Sequence, residues 1–326
     1  MMYLSNIRRL AATPRVQGIL YTFASAAFLS VTFIASKEAL RELPTLAFTP
    51  IWFTLASGWG IGYYAVQPQK VPWRTLKPYL GTLLLLGLSS SASNFFFFTS
   101  IRLGEPTMVA FFSRSETVFS LLWGVIALRE RLTRRQWLGV AMAIAGAGVM
   151  TYRGGSLVWT VLGLALIANF FNATTSYVAK RNVASVPPAV LGIARTVVLA
   201  TSMGLLGLVW GELRLPSLRA LLWMAGGSFF GPFLSYLLFY KGLRTMDMGQ
   251  AAIIRATQPL FVALYSLLLF GRVLGGVQFA GGLVILAGVT MMLSNGVPAQ
   301  ISSLVNPLLM YRRWQNNNFF TERKRK

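Results

Sequence analysis

The stretch 106-PTMVAFFSRSETVFSLLWGVIAL-128 has the length and apolar makeup of a membrane-crossing helix. At ~1.5 Å of rise per helical residue it is long enough to cross a bilayer core of ~30 Å. Near its middle it carries Arg114 and Glu116. An ionised side chain at that depth costs about 2.5–3.5 kcal/mol on insertion scales, so these two side chains should face the interior of a bundle or a cavity. A second stretch, 249-GQAAIIRATQPLFVALYSLLLF-270, has the same length class and places Arg255 at the corresponding point.

Working outward, ten apolar runs punctuate the chain: Val16 to Ser36, Leu46 to Val66, Tyr79 to Ser100, Pro106 to Leu128, Trp137 to Thr151, Leu157 to Ala179, Ala189 to Trp210, Leu218 to Tyr240, Gly249 to Phe270 and Val277 to Leu293. The fifth and the last are short. These runs are uniformly apolar and too long for the ~10-residue alternating strands of a membrane barrel. The expected fold class is an all-α membrane protein with ten transmembrane helices. The composition agrees: of 326 residues 55% are hydrophobic and only 12% charged, with a mean hydropathy of +0.59, which is not the makeup of a water-soluble globule. The first run follows Arg8, Arg9 and Arg15 and has no small-residue cleavage site, so it reads as a retained span.

The net charge of +22 invites a nucleic-acid reading until the charges are placed. Twenty of the thirty Lys and Arg fall in one alternate set of segments, around Arg8, Arg9 and Arg15, Lys70 to Lys77, Arg129 to Arg135, Lys180 and Arg181, Lys241 and Arg244, and the tail from Arg312 to Lys326. The opposite loops hold seven. The positive-inside rule then puts both termini in the cytoplasm of a cell whose plasma (inner) membrane the chain spans, and no nucleic acid is needed to explain the charge. There is no Cys and no His, which removes disulfides, thiolate or imidazole metal sites, His-based triads and Cys nucleophiles. No metal and no cofactor is expected. Without His, an Asp-rich motif or a pair of acids at depth, an intramembrane enzyme has little chemistry to use, and a scaffold protein is the other non-transport alternative.

Laying residues 16–153 over 157–296 gives a weak but ordered match whose offset drifts only between 141 and 143. Ser36-Lys37 with Pro44 meets Ala179-Lys180 with Pro187; Ser93, Phe98 and Arg102 meet Ser235, Tyr240 and Arg244; Arg114 meets Arg255; Arg131, Gln136 and Gly139 meet Arg272, Gln278 and Gly281. Each unit contains an odd number of spans, so the second must enter the membrane from the opposite side. The expected organisation is a cytoplasmic segment 1–15, two inverted five-helix repeats over 16–153 and 157–296, and a basic cytoplasmic tail 297–326. Inverted repeats enclosing a midplane site work by alternating access, which makes secondary transport the expected function.

The residues that carry a family resemblance are Ser36-Lys37-Glu38-Ala39-Leu40 closing the first span, Leu128-Arg129-Glu130-Arg131-Leu132 running to Gln136-Trp137-Leu138-Gly139, the Gly-rich fifth span, and Gln258-Pro259-Leu260-Phe261 before Gln278-Phe279-Ala280-Gly281. With these the chain resembles the drug/metabolite transporter superfamily, EamA type, over nearly its whole length. It departs from the pattern at Gly271, where the family often has an acid, and at Trp52, where it often has a base; Arg195 holds the corresponding place in the second copy. The resemblance implies a carrier, an exporter of small polar or anionic metabolites such as amino acids. Plastid phosphate translocators of the same superfamily use basic residues in these helices, so exchange of phosphorylated or organic-acid metabolites is the alternative.

Arg114, Arg195 and Arg255 against Glu116 leave two excess positive charges within the spans. Guanidinium groups keep their proton and bind carboxylate or phosphate bidentately, so the expected small-molecule substrate is anionic or zwitterionic. Asn94, Asn172, Thr175, Tyr236, Tyr240 and Gln258 are the softer polar candidates to line the same site, about half of them expected to serve only as hydrogen bonds between helices. Glu116, the lone acid at depth, is the candidate for proton coupling or a structural neutraliser of an arginine. Two residues apart on a helix, Arg114 and Glu116 should point to different faces, and Arg195 is near enough to a span end to snorkel. Phe95 to Phe98 read as lipid-facing and core packing. Gly58-x-x-x-Gly62 and Gly227-x-x-x-Gly231 permit close helix approach, within the chain or in a homodimer.

Overall fold

The computed structural model describes residues 14–67, 76–128, 133–151, 155–245, 251, 254–271 and 274–293. The expected tail 297–326, most of the segment 1–15, the motif Arg129-Glu130-Arg131-Leu132 and Arg272 lie outside the described residues. Among those described the chain is helical and contains no strand. In chain order the helices are α1 (Pro14–Ala39), α2 (Thr45–Ala65), α3 (Leu80–Leu103), α4 (Pro106–Phe112), α5 (Glu116–Leu128), α6 (Arg134–Thr151), α7 (Gly155–Asn182), α8 (Pro188–Val209), α9 (Leu218–Ser228), α10 (Tyr236–Leu243), α11 (Gln258–Phe270) and α12 (Gly276–Leu293). Each of the ten apolar runs is mainly helix over its described residues. Five of the helical stretches, Val16–Ala39, Lys77–Leu103, Gly155–Asn182, Pro188–Val209 and Leu218–Leu243, are long and apolar enough by themselves to cross a membrane.

Proline sets several of the starts. Pro106 and Pro188 occupy the first helical turn, where the missing N–H is no loss. Gly271, at φ 62°, ends α11 in the left-handed conformation that only glycine adopts without strain. Two joints are less regular. A single 3-10 turn, Ser113–Ser115, separates α4 from α5, while a π-helical stretch, Phe229–Ser235, carries the chain past Gly231-Pro232 from α9 into α10. Pro232 therefore widens the helix rather than breaking it.

Polarity runs opposite to that of a soluble globule. Thr22, Ser25, Ser30, Ser36, Ser90 and Ser100 are fully buried, whereas Ile126, Leu208, Val209 and Leu268 are between 63% and 78% exposed. The exterior suits lipid, and the interior is joined by hydroxyl contacts between helices, among them Ser25 with Ser235 (3.1 Å), Ser91 with Ser202 (2.7 Å), Ser57 with Thr196 (2.9 Å) and Ser89 with Thr175 (3.0 Å). Gly227 abuts Trp52 and Ala35, and Gly231 abuts Thr32, so this glycine pair serves internal packing; Gly58 and Gly62 face open space on the outside of α2.

Two packing motifs occur twice. Lys37, at the end of α1, donates from Nζ to the carbonyls of Ile101 (2.9 Å), Arg102 (3.1 Å) and Gly104 (2.7 Å), closing the C-terminus of α3. Lys180, at the end of α7, donates in the same way to the Leu243 carbonyl (3.0 Å) at the end of α10. The α6 and α12 helices pack antiparallel, with a Cβ on Gly146 placed 2.6 Å from the Gly281 carbonyl and one on Gly288 placed 2.6 Å from the Gly139 carbonyl. The internal alignment equates Gly139 with Gly281, and the same offset of 142 carries Gly146 onto Gly288, so repeat-related glycines meet crosswise.

Candidate functional site

The fourth and ninth apolar runs both break at their arginine. Ser113 Oγ donates back to the Val109 carbonyl (2.8 Å) and Ser115 Oγ to the Phe112 carbonyl (2.8 Å), offering the backbone an alternative to regular α-helix where Arg114 sits. In the ninth run Arg255 precedes a turn at Ala256 and Thr257, with Pro259 just inside α11. The two breaks face each other. Arg114 donates from Nη1 to the Arg255 carbonyl (2.5 Å) and from Nη2 to Gln258 Oε1 (2.8 Å).

Around this contact lies a cavity, narrow at about 50 Å³ open to water-sized bodies, lined by Arg114, Glu116, Arg195, Arg255, Asn94, Asn172, Tyr236 and Gln258. Eight of the ten sequence-derived candidates therefore share one space; Thr175, paired with Ser89 Oγ (3.0 Å) where α3 meets α7, and Tyr240, buried against Tyr236 and Phe239, do not line it. At ~10–15 Å³ per water it holds a few waters, and a larger cargo needs its walls to part. Trp52, Phe53, Phe97, Phe98 and Leu29 supply an apolar portion of the wall. A second, smaller cavity of about 30 Å³ also touches Arg114, Glu116 and Arg255 and is otherwise lined by Thr117, Ser120, Ser176 and Phe239, so the three charged residues form a wall common to both.

The charges are held by different means. Glu116 accepts from Asn172 Nδ2 (2.7 Å) and from Ser176 Oγ (3.2 Å). Among the described residues no carboxylate lies within 4.0 Å of Arg114, Arg195 or Arg255. The neutralising salt bridge that one reading gives Glu116 is not formed. Arg195 donates from Nε to Ser90 Oγ (2.6 Å) and lays its guanidinium over Tyr236, 3.6 Å from the ring centroid. Arg255 stands 4.4 Å from the Phe239 centroid and 5.9 Å from that of Tyr236. Such cation–π contacts are worth ~0.5–2 kcal/mol each and leave the N–H edges free for a ligand.

Eight buried polar atoms have no protein partner among the described residues, and six of them belong to residues of the main cavity: Thr32 Oγ1, Trp52 Nε1, Arg114 Nε, Arg195 Nη1, Arg255 Nε and Gln258 Nε2. Five of the six are N–H groups, which can only donate. Leaving buried donors unmatched costs ~1–3 kcal/mol each, and an acceptor-rich, negatively charged molecule would satisfy several at once.

Three expectations need correction. Arg195 does not snorkel: it is 1% exposed, because α8 is packed between α2 and α3 and the side chain turns inward to Ser90. Arg114 and Glu116 line the same cavity despite their spacing, since a 3-10 turn brings residues two apart from ~160° to ~120° around the axis. Of the Phe95 to Phe98 run, Phe97 and Phe98 line the cavity. Trp52, Asn169 and Thr32 also line it, and sequence reasoning does not single them out as site residues. The alignment of Trp52 with Arg195 is the available signal for the first, whereas Asn169, which donates to the Phe112 carbonyl (3.0 Å) and to Ser115 Oγ (2.8 Å), has none.

A lipid-faced helical bundle built around a polar, donor-rich internal cavity is the arrangement of a multi-pass membrane transporter. The chain belongs to the EamA-like transporter family, whose profile matches it twice, over residues 16–152 and 159–294. A probable amino-acid metabolite efflux pump from Salmonella typhimurium is 26% identical over 279 residues, covering 79% of this chain and 88% of that protein. An uncharacterized transporter from a Sinorhizobium species is 29% identical over 133 residues, 39% of this chain and 91% of the relative. A solved crystal structure superposes with a TM-score of 0.63 at 18% identity, over 85% of this chain and 96% of the other, which shows the shared fold.

Proposed function

We propose that this transporter is a secondary carrier that exports small anionic or zwitterionic metabolites, amino acids and organic acids among them, by alternating access between two inverted five-helix repeats spanning 16–153 and 157–296. The observation that carries the substrate reading is the convergence of Arg114, Arg195, Arg255, Trp52 and Gln258 with unmatched N–H groups on one cavity. Support for inverted halves comes from the crosswise glycine contacts of α6 and α12 and from the paired lysine caps, Lys37 and Lys180, on repeat-equivalent helices. The Lys and Arg distribution supports ten spans in a bacterial-type inner membrane with both termini cytoplasmic. The Salmonella relative, named as a probable amino-acid metabolite efflux pump, supports export and amino acids. Arg114 and Arg255 hold the negative group, with Asn94, Asn172 and Tyr236 completing the wall. Glu116, the one carboxylate on the cavity among the described residues, is the group that a proton-coupled cycle would use. Gly58 and Gly62 form the surface that a homodimer would use.

Exchange of organic-acid or phosphorylated metabolites is the second reading, favoured by the two excess positive charges. Dependence of uptake on a counter-substrate inside the liposome separates it from simple export. The central test uses proteoliposomes and radiolabelled amino acids and organic acids. Arg114→Ala and Arg255→Ala should each abolish uptake with the folded yield intact, and the Lys variants should restore little, because a point charge does not replace the planar fork. Normal transport by both alanine variants would remove the site.

A further inference from the structure

We infer that the cargo is a small dianion whose two negative groups occupy separate subsites, one at Arg114, Arg255 and Gln258 and the other at Arg195 and Trp52; this deepens the carrier reading above and rests on it. Charge is the first argument. The cavity wall carries three guanidiniums and one carboxylate, none of the three paired with an acid within 4.0 Å among the described residues. A zwitterion leaves both excess charges in place and a monoanion leaves one; a dianion leaves none, and in a medium of low polarity that difference is large.

Geometry divides the donors into two groups. Arg114 is tied to the ninth run through the Arg255 carbonyl and Gln258, and this group offers Arg114 Nε, Arg255 Nε and Gln258 Nε2. Arg195 lies on α8, is anchored instead to Ser90 of α3, and offers Nη1. Trp52, whose Nε1 is also unmatched, comes from α2, the helix packed against α8, and is the repeat equivalent of Arg195. Tyr236 touches both groups, at 3.6 Å from the Arg195 guanidinium carbon and 5.9 Å from that of Arg255. The two carbons therefore lie between 2.3 Å and 9.5 Å apart, the difference and the sum of those distances. A carboxylate on each, joined by a short carbon chain, calls for a separation in the upper part of that range and for the walls to part as it enters, and Phe53, Phe97 and Leu29 suit an apolar spacer.

Binding to the purified protein at pH 7.5, by calorimetry and thermal shift, tests this with three probes. Succinate carries two carboxylates; succinamate has the same skeleton with one replaced by a neutral amide; inorganic phosphate is a compact, mostly doubly charged anion. Succinate should bind at least about tenfold tighter than succinamate, and phosphate should be weaker than succinate because it can cover only one subsite. Arg195→Gln should bring succinate down to the level of succinamate while leaving succinamate within about twofold. Arg195→Lys, which keeps the charge, should retain part of the preference and gives the same comparison if the Gln variant does not fold. Equal affinity for succinate and succinamate, equal loss of both in Arg195→Gln, phosphate binding as tightly as succinate, or no binding of any probe would each overturn the inference. Succinamate binding that shows no preference for succinate yet is lost in Arg114→Ala would sink the dianion and leave the anion carrier standing. Succinamate binding that survives both Arg114→Ala and Arg255→Ala would remove the carrier site as well.

Discussion

Lys37 and Lys180 do the same work at equivalent points of the chain's two halves, each bringing an ammonium to the unmatched carbonyls at a helix C-terminus. Both the dipole and the unmatched carbonyls favour a cation there. Replacing Lys37 by Met removes three charge-assisted bonds and should lower stability by about 1–3 kcal/mol, read as a fall in melting temperature of the detergent-solubilised protein. Lys180→Met should act in the same direction. Glu42 makes a different kind of link: its carboxylate accepts from both the backbone N–H and the hydroxyl of Ser217 at 2.6 Å, joining the α1–α2 turn to the start of α9. Those hydrogen bonds hold its pKa below the ordinary carboxylate value of 4.5. A depressed acid stabilises the folded form above its unfolded pKa, and that contribution fades as pH falls through the folded value. Wild type should therefore melt higher than Glu42→Gln at pH 7, and the gap should close as the buffer is taken below pH 4.5. A gap that persists unchanged in acid would mean that the charge of Glu42 is not what stabilises the contact.

Between elements, the decisive contacts are those where backbone meets backbone. On α6, Gly146 lies against the α12 backbone, whereas a methyl group added at Gly148, two residues further along the same helix, would meet nothing within 4 Å. Gly146→Ala should force α6 and α12 apart at a cost of about 1–3 kcal/mol, and Gly148→Ala should be neutral or slightly stabilising. Comparable melting temperatures for the two variants would show that the pair tolerates separation. Helix existence was legible in the sequence because apolar length reports it directly, and Arg114 and Arg255 were legible because a charge at depth has few reasons to be there. The helix breaks were not. Nothing in the composition of 106–128 marks Ser113–Ser115 as a 3-10 turn, since serine bonds back to the preceding carbonyl only once neighbouring helices have settled its surroundings. The aromatic part of the cavity was hidden for a related reason: Phe95 to Phe98 cover every face of one helical turn, so no periodicity says which of them look inward.

For the molecule as a whole, the proposed alternating access rests on the relative orientation of the two halves, and the sequence makes this testable because it contains no cysteine. Glu42 and Ser185 are repeat equivalents at an offset of 143, each exposed in the connection between the first two helices of its half. If the halves are inverted, these residues lie on opposite sides of the membrane, with Ser185 on the side richer in Lys and Arg. Single substitutions Glu42→Cys and Ser185→Cys can then be probed in intact cells and in inside-out vesicles with a membrane-impermeant maleimide. Cys at 42 should react only in intact cells and Cys at 185 only in inverted vesicles. Labelling of both from the same side would place the two halves the same way up. The crosswise meeting of Gly139 with Gly288 and Gly146 with Gly281 would then have to arise without a two-fold axis in the membrane plane, and with it would go the physical basis for exposing one cavity alternately to either side.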